Sequence, residues 1–245
     1  MSQRLLVLFD IDGTLLITGG AAKKAFVRAV QDTYGVVGRL ESFPFDGKTD
    51  PQIIRIVLKE AGVSESVIEA NLRDCLNLYV KYNEEELPRA TKAVLYPGVR
   101  DVLELLSKDE RVTLGVLTGN VEEGAKQKLA MFDLNRYFVF GVYGSDSADR
   151  GELARLGLKR AKEITGQPFQ PGETFIIGDT EFDIACAHAI GAHAVAVATG
   201  NYGVDRLRSY GPELVFRDYS DPQGVYDRIM GFRQPADRAG GGGEE

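Results

Sequence analysis

Two aspartates, Asp10 and Asp12, stand one residue apart directly after the apolar run 5–9, in the segment DIDGTL. In an extended chain, side chains separated by one residue point to the same side. Two buried carboxylates this close repel each other, and a divalent cation between them relieves the repulsion. Gly13 permits a tight turn, after which free backbone amides can face an anion. The segment therefore predicts a site for a metal ion and an anion, with a plain Asp-Gly turn as the alternative.

A second polar group follows the predicted strand 112–117 and precedes a predicted helix. It consists of Thr118, Gly119 and Asn120. A hydroxyl together with amides at a helix N-terminus can hold a phosphate group. The same three residues also suit an ordinary turn and helix cap. We interpret them as a phosphate clamp.

Two more aspartates, Asp179 and Asp183, follow the predicted strand 175–177. Asp179 stands at the strand tip, where it can reach a metal ion, and Asp183 lies one helical turn further on, where it can support the metal ligands from behind. The alternative for Asp179 is a helix cap. A phosphate group among several carboxylates also requires a cation. Arg150 and Lys159 both qualify by position, and we favour Arg150 because mid-helix lysines are commonly solvated.

Short apolar runs that alternate with helical patterns place these groups. Strands are predicted at 5–9, 112–117, 138–142, 175–177, 194–198 and 214–216, and helices at 99–107, 122–131, 152–165, 182–190 and 204–210. This alternation predicts a Rossmann-like parallel sheet covered by helices on both faces, an α/β fold with three layers. Ligand sites of such sheets gather outside the carboxyl ends of the strands, where all four polar groups stand.

Residues 17–92 interrupt the alternation with helical periodicity alone. Asp50 is predicted to cap one of these helices, with Pro51 at its first position. The pattern predicts a catalytic core of residues 1–16 and 93–232, a helical insert at 17–92 and a disordered glycine-rich tail at 233–245.

The overall composition narrows the range of partners. The net charge of −7 argues against nucleic acid or an anionic membrane as the main partner. No stretch approaches the ~20 apolar residues of a membrane span. Cys75 and Cys186 match no metal-ligand spacing and are expected to be buried free thiols, which suits a cytoplasmic location. No pattern sets an oligomeric state.

The four polar groups, in this order, resemble the four motifs of the haloacid dehalogenase superfamily, in its phosphatase branch. The helical insert resembles the cap of phosphoglycolate-phosphatase-like members. The resemblance implies that Asp10 is the nucleophile, Asp12 the general acid and base, and Thr118 the phosphate-binding hydroxyl. It further implies that Arg150 neutralises charge and that Asp179 binds the metal. The family usually carries lysine where Arg150 stands, so this position departs from its pattern.

The implied reaction is Mg²⁺-dependent hydrolysis of a small phosphorylated metabolite through an aspartyl phosphate. Mg²⁺ suits a site of carboxylate, carbonyl, phosphate and water oxygens, to which Asp10, Asp12 and Asp179 are expected to contribute. Lys48, in the insert, is expected to reach the substrate, with a solvated loop lysine as the alternative. A sugar-phosphate mutase would share all four motifs, and a binding or regulatory protein could keep the fold without turnover.

Overall fold

Six parallel strands form the central sheet of the chain, whose computed structural model describes residues 4–232. The strands of the sheet are β1 Leu5–Phe9, β4 Val112–Leu117, β5 Phe140–Val142, β6 Thr174–Gly178, β7 His193–Val197 and β8 Leu214–Phe216. Two short strands, β2 Leu16–Ile17 and β3 Val94–Leu95, form a separate ribbon. The sheet runs in the order β5-β4-β1-β6-β7-β8. The first strand in the sequence is therefore central, which brings the segment that follows it to the middle of the sheet edge.

Nine α-helices are found within residues 4–232. They are α1 Ala21–Tyr34, α2 Asp50–Glu60, α3 Glu65–Glu86, α4 Val99–Lys108, α5 Glu122–Ala130, α6 Arg150–Thr165, α7 Glu181–His188, α8 Val204–Ser209 and α9 Pro222–Met230. Alternate residues of β1 contribute to two separate apolar clusters. Val7 and Phe9 pack with α4, α5 and α9, whereas Leu6 and Leu8 pack with α6, α7 and α8. The predicted α/β sheet with helices on both faces is confirmed.

The register of the central strands aligns their carboxyl ends. Phe9 of β1 pairs with Val116 of β4 on one side and with Ile177 of β6 on the other. Because these strands are parallel, Asp10, Thr118 and Asp179 leave the sheet side by side. Segments that are far apart in the sequence thus meet at one edge.

Helices α1, α2 and α3 pack around an apolar cluster of their own, to which Val121 also contributes. The chain enters and leaves this unit through the antiparallel ribbon, in which Leu16 pairs with Leu95. Helix α2 begins with a capping box, in which the hydroxyl of Thr49 accepts from the amide of Gln52. The prediction that Asp50 is the N-cap is wrong, because Thr49 takes that position and leaves the Asp50 carboxylate free for another contact.

Several predicted boundaries differ from the structure. The strand predicted at 138–142 begins at 140, and the ribbon strands and α9 were not predicted. Strands of two residues are too short to show periodicity. Helix α9 begins after the cap residue Asp221, which accepts from the Gly224 amide at 3.0 Å, and buries Val225 and Ile229. Cys75 and Cys186 are buried free thiols, as expected. No helix within residues 4–232 is both long and apolar enough to cross a membrane. The tail predicted to be disordered, 233–245, lies outside the described residues.

Candidate active site

Asp10 directly follows β1 and is held by backbone on both sides. Its amide donates to the carbonyl of Ile177 at 3.0 Å, and its Oδ1 accepts from the amide of Ile11 at 2.8 Å. The residue is 9% exposed and lines a cavity at the edge of the sheet. One carboxylate is therefore fixed at the centre of the sheet edge with access to a ligand.

Arg150, the first residue of α6, reaches the same place from the face of the sheet that α6, α7 and α8 cover. Its Nη2 lies 3.5 Å from Asp10 Oδ2 and also contacts Asp183 Oδ1. Burial alone would lower the pKa of Arg150, but the charges of Asp183 and Asp10 raise it above its ordinary value. The guanidinium therefore remains charged. Lys159, by contrast, has a side chain that is 70% exposed and lies 3.9 Å from Glu163.

Asp179 approaches Asp10 from the end of β6. Its Oδ1 accepts from the hydroxyl of Thr14 at 2.9 Å. This approach depends on Gly13, which has φ of 78° and where a Cβ atom would lie 2.4 Å from Asp179 Oδ2. Only glycine satisfies both conditions easily, because it lacks a Cβ and tolerates positive φ.

Three carboxylates, of Asp10, Asp179 and Asp183, place oxygen atoms within 4.8 Å of one another, and all three residues are buried. Burial raises the pKa of Asp10 to about 6, against the opposing charge of Arg150. Burial, with the charges of Asp183 and Asp10, raises the pKa of Asp179 to about 8. When all three carboxylates are ionised, Arg150 offsets one of their negative charges, so two remain to be balanced. Oxygen ligands with this residual charge fit a divalent cation.

Asp12 and Asp183 differ in their relation to the carboxylate cluster. Asp183 belongs to the carboxylate cluster and is also fixed to Thr180, whose hydroxyl donates to its Oδ2 at 2.7 Å. The Asp12 carboxylate points away from the cluster and accepts from Asn120 Nδ2 at 2.8 Å. If Asp12 contributes to the metal site, it does so through its backbone carbonyl, because its carboxylate lies outside the cluster.

The predicted phosphate clamp lies beside Asp10. Thr118 is fully buried, and its hydroxyl accepts from Asn120 Nδ2 at 2.7 Å. Since the hydroxyl oxygen is already used as an acceptor, its proton is left to donate to a ligand. Gly119 permits the helical unit to approach, because a Cβ there would lie 2.2 Å from the carbonyl oxygen of Lys48. All three clamp residues line the cavity, but the Asn120 side chain is directed to Asp12.

Lys128, on α5, is a residue that sequence reasoning missed. Its Nζ donates to Asp12 Oδ2 at 2.7 Å and to Asn120 Oδ1 at 2.6 Å, and the residue is 5% exposed. The signal that could have found it is helical phase. Position 128 follows Gly124 by four residues and Ala125 by three, so it lies on the buried face of α5.

A cavity of about 630 Å³ separates the sheet edge from the helical unit. Lys48 enters it from that unit, with its Nζ 5.6 Å from the ring centre of Phe43 and 5.3 Å from that of Phe182. Lys23 does the same from α1, with its Nζ 4.8 Å from the ring centre of Phe45. Lys23 and Lys48 therefore face the carboxylates of the sheet edge across the cavity, and Asp46 and Asp50 line the same side as these two lysines.

Comparison with known proteins agrees with this arrangement. A sequence model of the haloacid dehalogenase-like hydrolase family matches residues 7–197. A Caldanaerobacter subterraneus protein that carries the name pyrophosphatase PpaX is 29% identical over 213 residues. The match covers 86% of this chain and 90% of that protein. A phosphoglycolate phosphatase of Pseudomonas syringae is 26% identical over 218 residues, and the match covers 87% of this chain and 76% of that protein.

Solved structures show the same fold. The crystal structure of a predicted phosphatase from Clostridium acetobutylicum superposes with a TM-score of 0.68 at 21% identity, covering 94% of this chain and all of the other. This similarity shows the fold, and the match of the family model over residues 7–197 shows the class. The chain belongs to the haloacid dehalogenase-like hydrolase family, as the four motifs predicted.

Proposed function

We propose that this chain is a Mg²⁺-dependent phosphatase that hydrolyses a small phosphate monoester through a phosphorylated Asp10. The observation that carries the proposal is the placement of Asp10, whose buried carboxylate lies beside Arg150, within the acidic cluster and on the wall of the cavity. The phosphatase class predicted from the sequence is confirmed by the family and by the names of the relatives.

The chain's own side chains supply each step of the proposed reaction. A carboxylate oxygen of Asp10 bonds to phosphorus as the ester oxygen leaves, and Asp12 donates its proton to that oxygen. Water then attacks the phosphorus of the aspartyl phosphate, Asp12 accepts a proton from it, and Asp10 is released as a carboxylate. The Thr118 hydroxyl and the Arg150 guanidinium stabilise the negative charge of the transferring group.

We assign Mg²⁺ to the acidic cluster because its ligands are hard oxygen atoms and two negative charges remain unbalanced. Asp10 and Asp179 would hold it through their carboxylates and Asp12 through its backbone carbonyl, while Asp183 braces Arg150 and Thr180. When bound, the cation offsets the charge of the phosphoryl group and helps to orient it.

Stabilisation of the protein by Mg²⁺ should grow as the pH rises from 6 to 8.5. Burial raises the pKa of Asp179 to about 8 and that of Asp10 to about 6. The metal-free folded protein therefore binds protons more tightly than the unfolded chain. These two groups favour the folded state most at low pH, and that contribution is lost as the pH rises through their folded-state pKa values. Because Mg²⁺ must displace these protons, its affinity should fall about tenfold for each pH unit below the pKa.

Thermal unfolding with and without Mg²⁺ measures this effect. We expect the increase in Tm caused by saturating Mg²⁺ to be larger by a few °C at pH 8.5 than at pH 6. Asp179→Asn should lose most of the increase at both values, whereas Asp205→Asn, whose side chain is 98% exposed, should behave like the wild type. An equal increase at both pH values in the wild type would contradict the metal assignment.

The proposed substrates are small metabolites that carry a second anionic group. Lys23 and Lys48 line the cavity opposite Asp10, and their contacts are to aromatic rings and backbone carbonyls. Such ammonium groups remain able to pair with a carboxylate or a second phosphate. The relatives named for phosphoglycolate and pyrophosphate act on compounds of this kind. We further propose that α1–α3 act as a cap that closes over the leaving group.

A panel of phosphate compounds tests the proposed function. We expect Mg²⁺-dependent phosphate release that EDTA abolishes, with kcat/KM for phosphoglycolate at least about tenfold above that for 2-hydroxyethyl phosphate, which lacks the carboxylate. Lys48→Ala should narrow that difference. Transfer of phosphate within a sugar phosphate, without release, would instead identify a mutase, and absence of any turnover a binding protein. A cytoplasmic location stays a prediction.

A further inference from the structure

Two lysines of α5 have opposite environments. Lys126 is exposed and pairs with Glu122 and Glu123. Lys128, two residues later, is buried and makes two short hydrogen bonds, to Asp12 and Asn120. Burial alone would lower the pKa of Lys128, but the nearby charge of Asp12 raises it above the ordinary value. Lys128 is therefore a buried ammonium group aimed at the proposed general acid.

The contacts of Asp12 are one-sided. Lys128 Nζ and Asn120 Nδ2 both donate to its Oδ2. Within residues 4–232 no hydrogen bond goes to Oδ1, and the side chain remains 44% exposed on the cavity wall. Lys128 also donates to the amide oxygen of Asn120, which fixes the amide orientation that points Nδ2 to Asp12. One oxygen of Asp12 is thus anchored, and the other is free to exchange a proton with a substrate.

The helical cap packs on the same helix, α5. The carboxylate of Asp50, from α2, accepts from the Val121 amide at 2.8 Å, and the Asp50 amide donates to the Gly119 carbonyl at 2.9 Å. From α3, the carbonyl of Val80 accepts from Gln127 Nε2 at 3.0 Å. Asp50 is buried, and its charge acts on Lys128. The cap therefore covers Lys128 and adds a negative charge near it.

We propose that Lys128 is a positioning residue that aims Asp12 at the leaving group, and that the cap keeps Lys128 shielded from water only while its contacts through Asp50 and Val80 seat it on α5. This inference rests on the proposed phosphatase function. With the cap displaced, water reaches the ammonium group and competes with Asp12 for its hydrogen bonds. Proton donation is then coupled to closure of the cap over a substrate.

The leaving group of the substrate separates this role from a structural one. An alkyl phosphate needs a proton on its departing oxygen, whereas 4-nitrophenyl phosphate departs without one. We expect Lys128→Met to slow formation of the aspartyl phosphate from the alkyl phosphate on the order of 10²-fold, but less than tenfold from 4-nitrophenyl phosphate. Asp50→Asn should give a smaller difference in the same direction. Rapid-quench measurement of the first turnover isolates this step.

Matched controls lie on the same elements. Lys126→Met on α5 and Asp74→Asn, an exposed position of α3, should leave both rates unchanged. Equal losses with the two donors, or no loss in Lys128→Met, would overturn the inference. Lys128→Gln, which keeps a hydrogen-bond donor without the charge, replaces Lys128→Met if that variant does not fold.

Crystal structures of the wild type and Lys128→Met provide a readout that does not depend on turnover. We expect the Asp12 carboxylate to leave Asn120 Nδ2 in the variant. An Asp12 that still lies about 3 Å from that nitrogen would show that Lys128 does not position it. Should the wild type release no phosphate from any donor, the proposed function fails, while these structures still decide whether Lys128 positions Asp12.

Discussion

Replacing Asp10 by asparagine should abolish phosphate release while leaving the protein folded. An amide cannot act as the nucleophile, and loss of a nucleophile commonly lowers kcat by a factor on the order of 10⁴ or more. Asp10 also lies in a cluster of three buried carboxylates. Removing one negative charge from that cluster relieves repulsion, so the Tm of the metal-free variant at pH 8 should equal or exceed that of the wild type.

Phosphate release and thermal unfolding in EDTA measure the two halves of this prediction. Mass spectrometry of the wild type, quenched during turnover, should find phosphate on the peptide that contains Asp10. Asp205→Asn, the same substitution at an exposed side chain, serves as the control and should retain full activity. Near-normal turnover by Asp10→Asn would rule out the proposed mechanism.

Replacing Arg150 by alanine should cost kcat/KM a factor on the order of 10² to 10⁴. The guanidinium lies 3.5 Å from Asp10 and contacts Asp183, so its loss removes the positive charge that faces a phosphorylated Asp10. The substitution also leaves Asp183 buried without this partner. Loss of one partner of a buried ion pair typically destabilises a protein by about 3–5 kcal/mol. A Tm measurement must therefore accompany the kinetics.

Two further variants separate charge from stability. Arg150→Lys keeps the charge and matches the residue usual in the family, so it should recover a large part of the activity. Lys159→Ala removes a side chain that is 70% exposed, and its kcat/KM should remain within about twofold of the wild type. Loss of activity in Lys159→Ala with a silent Arg150→Ala would mean that the cation was assigned to the wrong residue.

Local pattern was sufficient for most of the fold. Apolar runs such as Leu5–Phe9 are buried over their whole length, and this property can be seen in the sequence because a strand covered on both faces has no polar positions. Short or weakly periodic elements could not be predicted from the sequence. The ribbon Leu16–Ile17 and Val94–Leu95 offers two residues in each strand, and its formation depends on pairing across the inserted cap.

Some residues of the site could likewise be predicted from the sequence, and others could not. Asp10, Thr118 and Asp179 could be placed together from the sequence, because the carboxyl ends of neighbouring parallel strands share one edge. The charged side chains that pair with them could not be identified in this way. Sequence position allowed either Arg150 or Lys159 to be the cation of the site. Only the packing of α6 directs Arg150 to Asp10 and Lys159 to solvent.

The sequence by itself determined the type of each long element and the chemical groups at the strand ends, since both depend on neighbours within a few positions. The tertiary structure alone decided which charges meet. Asp12 and Lys128 are 116 residues apart, and Asp50 and Val121 are 71 apart. In the sequence, Asp50 suits a helix cap, and helical phase shows only that Lys128 shares a face with Gly124 and Ala125. Their contacts arise only when the cap and α5 pack together, because burial and distance, rather than residue type, set the energy of a charged group.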